Sequence, residues 1–138
     1  MQIEIDPQSA VPIYQQIRDR VVEAIACGEL AEGDQLSSVR QLAVDFGINV
    51  ATVAKAYDLL RSEGLIRTNH KSGSVIARGP GGGPADPTYV AEWTTRLTTL
   101  LAEAVTRGVA DRDIVGIGST VLERFASQRS RTERGTNA

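Results

Sequence analysis

The sequence predicts a mainly α fold with one small β wing, followed by a separate two-helix segment. Three observations predict it. Residues 37–75 run from a short amphipathic stretch through a glycine into a second such stretch, another glycine, and two short β-prone runs about a polar turn. Ahead of that block, Ile13, Ile17, Val21 and Ile25 recur every four residues and line one face of a helix. Behind it, Gly-Pro-Gly-Gly-Gly-Pro at 79–84 offers no packing side chain and separates a second run of helical spacing.

Taken in order, Ile3 to Ile5 adds a short strand. Pro12 opens the first helix, where its fixed φ and missing N–H suit the first turn. Gly28 is placed to end that helix in a left-handed conformation, and residues 28–35 form a connecting loop. Ser37 or Ser38 caps the next helix, with Gln41 a capping-box partner for Ser38, and Leu42, Ala43 and Phe46 face inward. Gly47 stops that helix and Asn49 caps the following one. There Val53, Tyr57 and Leu60 share a narrow apolar face, so Ala51, Thr52, Lys55 and Asp58 lie on other faces and leave a polar surface for a ligand. Gly64 ends this helix, Ile66 and Val75 anchor two short strands, and His70-Lys71-Ser72-Gly73 turns between them. Helix, tight turn, helix and hairpin in that order make a helix-turn-helix with a wing, a unit that presents one helix to the DNA major groove.

After the linker at 79–85, Asp86-Pro87 supplies a cap and a first-turn proline. Val90, Trp93, Leu97, Leu100, Leu101 and Ala104 then follow at helical spacing, and Gly108 ends the helix. Asp111 caps a second one carrying Ile114, Ile117, Val121, Leu122 and Phe125. Gly116 and Gly118 weaken it by roughly 1 kcal/mol each relative to alanine, which a close helix crossing would explain. Two helices alone have little to bury against, so their core is expected to span two chains. Residues 86–128 therefore read as a helical dimerisation segment, and 129–138, rich in charge and poor in apolar side chains, as a disordered tail. Residues 1–78 read as the DNA-binding domain.

A net charge of −2 argues at first against nucleic acid, but the charge is unevenly distributed. Residues 35–78 hold Arg40, Lys55, Arg61, Arg67, Lys71 and Arg78 against three acids, a balance of +3. Residues 1–34 hold two arginines against seven acids, a balance of −5. A basic patch on one face is the electrostatic footprint of DNA binding, and the acidic surface elsewhere weakens non-specific binding by repulsion. The longest apolar runs are a few residues, too short to span a membrane. Met1 to Ile5 lacks a basic stretch before an apolar core, so no secretory signal is expected. The lone Cys27 has no internal disulfide partner and fits a reducing cytoplasm. The single histidine, His70, cannot build a zinc site, and the glycine run lacks the Gly-Lys-Ser/Thr ending of a phosphate loop. No metal, cofactor or catalytic constellation is expected, and the chain does not read as an enzyme.

Five blocks of this sequence resemble the GntR family of bacterial transcription regulators. They are Pro-Ile-Tyr-Gln-Gln-Ile (12–17), Gly-Glu-Leu-Ala-Glu-Gly-Asp-Gln-Leu (28–36), Ser-Val-Arg-Gln-Leu-Ala (38–43), Thr-Val-Ala-Lys-Ala-Tyr (52–57) and Glu-Gly-Leu-Ile (63–66). The short helical segment after the linker resembles the YtrA-type branch, the smallest in that family. The resemblance implies a winged helix-turn-helix regulator, expected to be a repressor, that binds inverted-repeat operator DNA as a homodimer. It implies that Arg40 meets DNA from the start of the second helix, Asn49, Ala51 and Thr52 from the turn and recognition helix, Lys55 from that helix's exposed basic position, and His70, Lys71, Ser72 and Gly73 from the wing tip. Ser38 and Arg67 complete the candidate DNA-binding set. Trp93, Leu97, Leu100, Leu101 and Ala104, with Ile114, Ile117, Val121 and Phe125, form the candidate dimer surface.

Ser37 stands where the family usually has proline, and Val50 and Ala51 where many members have arginine or asparagine. More of the sequence readout then falls on Arg40, Asn49, Lys55 and the wing. A small-molecule effector would sit between protomers or between domains, since about 40 residues after the linker are too few to enclose a pocket of roughly 300 Å3 or more. The alternative function is a winged-helix module for protein–protein interaction without DNA. Exposed basic residues on the recognition helix and wing speak against it.

Overall fold

A computed structural model describes residues 3–71 and 73–136. Ser72 of the predicted wing tip, and the end of the predicted tail, lie outside the described residues. Five helices and one hairpin follow in order: α1 Ile13–Ala26, α2 Val39–Phe46, α3 Val50–Ser62, β1 Ile66–Asn69, β2 Gly73–Ile76, α4 Pro87–Thr106 and α5 Asp111–Thr136. The mainly α architecture with a small β wing is the one expected.

The apolar stripe of α1 packs on α3, and so does α2. Ile17, Val21, Val53, Tyr57, Leu60, Ile66 and Ile76 are the largest fully buried side chains, and the whole core cluster lies between Ile3 and Ile76. An ion pair between Arg18 and Glu63 ties α1 to the end of α3. Bonding to Glu63, partly opposed by burial, raises the Arg18 pKa above its usual value.

The helix ends follow the expected chemistry. The Ser38 hydroxyl accepts from the Gln41 N–H, and Gly47 closes α2 at φ +62°. The Asn49 side chain accepts from the Ala51 N–H, and the Asp86 side chain from the Thr88 N–H. Pro12 differs slightly: it is the residue before α1, and its carbonyl accepts the first helical bond from Gln16. Asp111 also differs, since it is the first residue of α5 and the Ala110 carbonyl accepts the opening bonds from Asp113 and Ile114. There Asp111 and Asp113 suit the positive end of the helix dipole.

The expected strand at Ile3 to Ile5 does not form. Ile3 is buried in the core, and the chain after it is held by the buried Gln16. The Gln16 amide oxygen accepts from the Asp6 N–H, and its nitrogen donates to the Asp6 and Val11 carbonyls. One side chain thus satisfies three backbone groups in the segment leading into α1.

β1 and β2 pair antiparallel, Ile66 opposite Ile76 and Asn69 opposite Gly73. The predicted loop before α2 contributes here too. The Gly33 and Leu36 N–H groups donate to the Ile76 and Ser74 carbonyls, Ile76 donates back to Asp34, and Gln35 bridges Val75. The wing is therefore sewn to the segment entering α2.

Beyond the linker, α4 and α5 are joined at Gly108, whose φ of +85° suits the tight turn. At 1.5 Å per residue they extend about 30 and 39 Å. The tail expected from 129 is instead helical to Thr136. Extending an existing helix costs far less than nucleating one, so a polar sequence can continue it. Within the chain, Gly116 and Gly118 meet no close helix crossing: a Cβ at either would find open space.

Candidate nucleic-acid interface

The N-terminal halves of α2 and α3, with their caps, and the wing carry the predicted DNA-binding residues. Ser38 caps α2, and Arg40 stands exposed at its second position. Asn49 caps α3, Ala51 is exposed and Thr52 half-buried in its first turn, and Lys55 is exposed one turn beyond Ala51. The α2–turn–α3 unit brings these six together. The wing carries the rest on a separate arm: exposed Arg67 on β1, His70 and Lys71 in the turn, and Gly73 opening β2 at φ +71°.

Two of these side chains already have structural work. The Ser38 hydroxyl and the Asn49 amide oxygen differ in kind, but both accept a backbone N–H at a helix start. The nearby N–H groups at the start of each helix point outward with the positive end of its dipole, an arrangement suited to phosphate. Neither α2 nor α3 has an acidic residue in its first turn to oppose an anion.

Lys55 is not simply solvated. Its ammonium lies 4.0 Å from the centre of the Tyr14 ring, on α1. A cation–π contact at an exposed site is worth about 0.5–1 kcal/mol, weak enough for a phosphate to compete. The four-residue apolar repeat of α1 did not single out Tyr14, because the contact is between helices. Arg61, by contrast, pairs with Asp58 and donates to the Thr68 hydroxyl, which braces α3 against β1.

Tyr57 was legible as core, and it is 1% exposed. Its hydroxyl also donates to the Ser37 carbonyl at 2.6 Å, fixing the chain just before the α2 cap. Burial pushes its pKa up to about 12. At the wing tip the Asn69 side chain accepts from the Lys71 N–H, a local turn that organises the residues around His70. A polar residue two before the turn's basic group was the available sequence signal for it.

The predicted dimer surface sits on α4 and α5. Leu97, Ala104, Ile114, Val121 and Phe125 are half-buried, whereas Trp93, Leu100, Leu101 and Ile117 are exposed. No residue of α4 is buried. Among the described residues no group of histidine, cysteine, aspartate and glutamate could hold a metal ion, and no helix is long and apolar enough to cross a membrane.

A family model described as bacterial regulatory proteins, gntR family, matches residues 13–76, the span from α1 through β2. The chain is 44% identical over 75 residues to the HTH-type transcriptional repressor YtrA of Bacillus subtilis, covering 54% of this chain and 58% of that protein. It spans 58 to 63% of the length of the first curated relatives it matches. Among solved structures, YtrA from Sulfolobus acidocaldarius, a GntR-family transcription factor, is 38% identical with a TM-score of 0.58, over 75% of this chain and 97% of that one. A protein from Listeria monocytogenes EGD-e described as a transcriptional antiterminator has a TM-score of 0.79 and 29% identity, over 88% of this chain and 93% of that one.

Proposed function

Because the chain belongs to the GntR family of bacterial regulatory proteins, in its YtrA-type branch, we propose that it is a homodimeric repressor that occupies an inverted-repeat operator. The observation that carries this reading is the pairing of two surfaces. One is the polar start of α2 and α3 with the basic wing. The other is an apolar face on α4 and α5 that this chain leaves uncovered, with Leu100 and Ile117 each 61% exposed. Apolar surface of this kind marks an interface. A twofold pairing buries the same patch on both chains and aims two α3 helices at successive major grooves.

In this reading Arg40 reaches a guanine or a phosphate, and Ala51, Thr52 and Lys55 face the groove. Arg67, His70, Lys71 and Gly73 run along the flanking backbone, and Ser38 and Asn49 bring helix-start N–H groups to phosphates. Repression is steric: the bound dimer blocks polymerase. An effector has room in a cavity of about 670 Å3 between the loop after α1, the linker and the last turns of α5. That is within the usual size for small-molecule sites.

The test is a mobility shift of the full chain on inverted-repeat duplexes selected from random sequence, repeated across salt. The expected result is a specific shift whose affinity falls steeply as salt rises. Absence of any shift at low salt would sink the reading in favour of a protein-binding module.

A further inference from the structure

The end of α5 returns to the winged domain, where the Arg129 side chain reaches the end of α1. The Arg129 guanidinium donates to the Ala26 carbonyl at 2.7 Å, at the C-terminal end of α1. Helix C-termini expose carbonyls without intrahelical partners and favour a cation. The last turn of α1 has no basic residue of its own. Arg129 supplies that cation from 103 positions away along the chain.

Gly28 is fitted to the same contact. Its φ is +81°, and a Cβ there would come within 3.2 Å of both the Cα and the Cγ of Arg129. A glycine that ends α1 therefore also admits the backbone of α5. The rest of the junction is loosely filled. The cavity beside Arg129 is bounded by Ile25, Leu30, the linker glycines, Thr132 and Glu133. The linker folds on itself, the Gly82 N–H donating to the Gly79 carbonyl and the Arg78 guanidinium to the Gly83 carbonyl.

We propose that Arg129 is a positioning residue that sets the orientation of the winged domain on the helical pair, and with it the spacing between the two DNA half-sites. The inference rests on the homodimeric operator reading. The domain is folded by its own core, so the contact does not create the DNA-binding surface. It decides where that surface points. Half-sites lie on one face of the duplex only at separations near multiples of 10–10.5 base pairs. A dimer whose two domains are held at a fixed angle accepts one separation, whereas freely hinged domains accept several.

The experiment compares the full-length wild type with Arg129→Ala and Arg129→Lys on two kinds of DNA. One is a series of inverted repeats that differ by single base pairs in half-site separation. The other is a single half-site duplex. Wild type is expected to prefer one separation by about tenfold or more, since bivalent gain is lost when geometry forbids simultaneous engagement. Arg129→Ala should flatten that preference and keep the single half-site affinity. Arg129→Lys should restore part of it, because an ammonium can also donate to the Ala26 carbonyl. NMR relaxation of the full chain without DNA gives a second readout: the winged domain and the helical pair should tumble as one body in wild type and separately in Arg129→Ala. An Arg129→Ala protein with the wild-type spacing preference and unchanged relaxation overturns the proposal, as does one that loses single half-site affinity in proportion. A wild type that binds an isolated half-site as tightly as any inverted repeat overturns the two-half-site reading itself, while the relaxation comparison still reports on the contact.

Discussion

Arg40 occupies the second position of α2, where a cation works against the positive end of the helix dipole. Exposed there, it costs helix stability rather than adding to it, so its use must be outside the fold. Arg40→Ala is expected to leave the melting temperature nearly unchanged and to weaken operator binding. If it reads a guanine with two hydrogen bonds, the loss is about 1–3 kcal/mol and discrimination relaxes at that base pair. Unchanged affinity in a mobility shift would remove Arg40 from the interface. Tyr57 has the opposite character, since its side chain is wholly internal. Its pKa rises from the usual 10 to about 12 through burial, so the unfolded phenol loses its proton first as pH rises. The stability it contributes is complete below pH 10 and declines as pH climbs towards about 12. At about 1.4 kcal/mol per unit, the loss is on the order of 2–3 kcal/mol. Tyr57→Phe should flatten this alkaline decline, at a neutral-pH cost of about 1 kcal/mol for the Ser37 carbonyl left without its donor. Denaturant titrations from neutral to alkaline pH measure both effects, and an equal decline in the two proteins would contradict the assignment.

At the scale of elements, Asn49 separates structure from recognition. As the α3 cap it accepts from the Ala51 N–H at 2.7 Å. Asn49→Ala is expected to cost about 1 kcal/mol of stability. Asn49→Asp should cap as well as asparagine does, yet bring a negative charge towards phosphate. Stability should then recover while operator affinity does not. If affinity recovers along with the melting temperature, Asn49 is a cap and nothing more. The caps at Ser38, Asn49 and Asp86 and the glycine stops were legible because each depends on chemistry within a few residues. So was the α2–turn–α3 unit that gathers the candidate DNA contacts. What escaped the sequence depends on distant partners. The pairing of residues 33–36 with β2 joins segments some 40 positions apart, and Gln16 holds the Asp6 and Val11 backbone ahead of α1. Lys55 over Tyr14 and Arg129 on Ala26 are likewise contacts between elements. Composition alone made the end of α5 look like a tail, because a polar helix leaves no apolar period to read.

At the scale of the molecule, the core and the exposed apolar surface belong to different parts of the chain. All of the core cluster lies between Ile3 and Ile76, so the winged domain has what it needs to fold alone. The helices α4 and α5 leave Trp93 44%, Leu100 61%, Leu101 39% and Leu122 68% exposed. Burying a leucine side chain is worth about 1.5–3 kcal/mol, so several such residues give a second copy enough apolar surface to hold the pair together. Removing residues 86–138 is therefore expected to give a folded monomer with a cooperative melt. Each monomer keeps its α2, α3 and wing contacts, but the second half-site no longer benefits from a high effective concentration. Operator affinity should fall by about 10²- to 10⁴-fold, towards that of a single half-site. Light scattering of the full chain and the truncated one reads the assembly, and mobility shifts read the affinity. A full-length monomer at micromolar concentration that still binds the operator tightly would show that α4 and α5 serve another purpose. An aggregated truncation would instead place part of the domain's stability in the Arg129 contact.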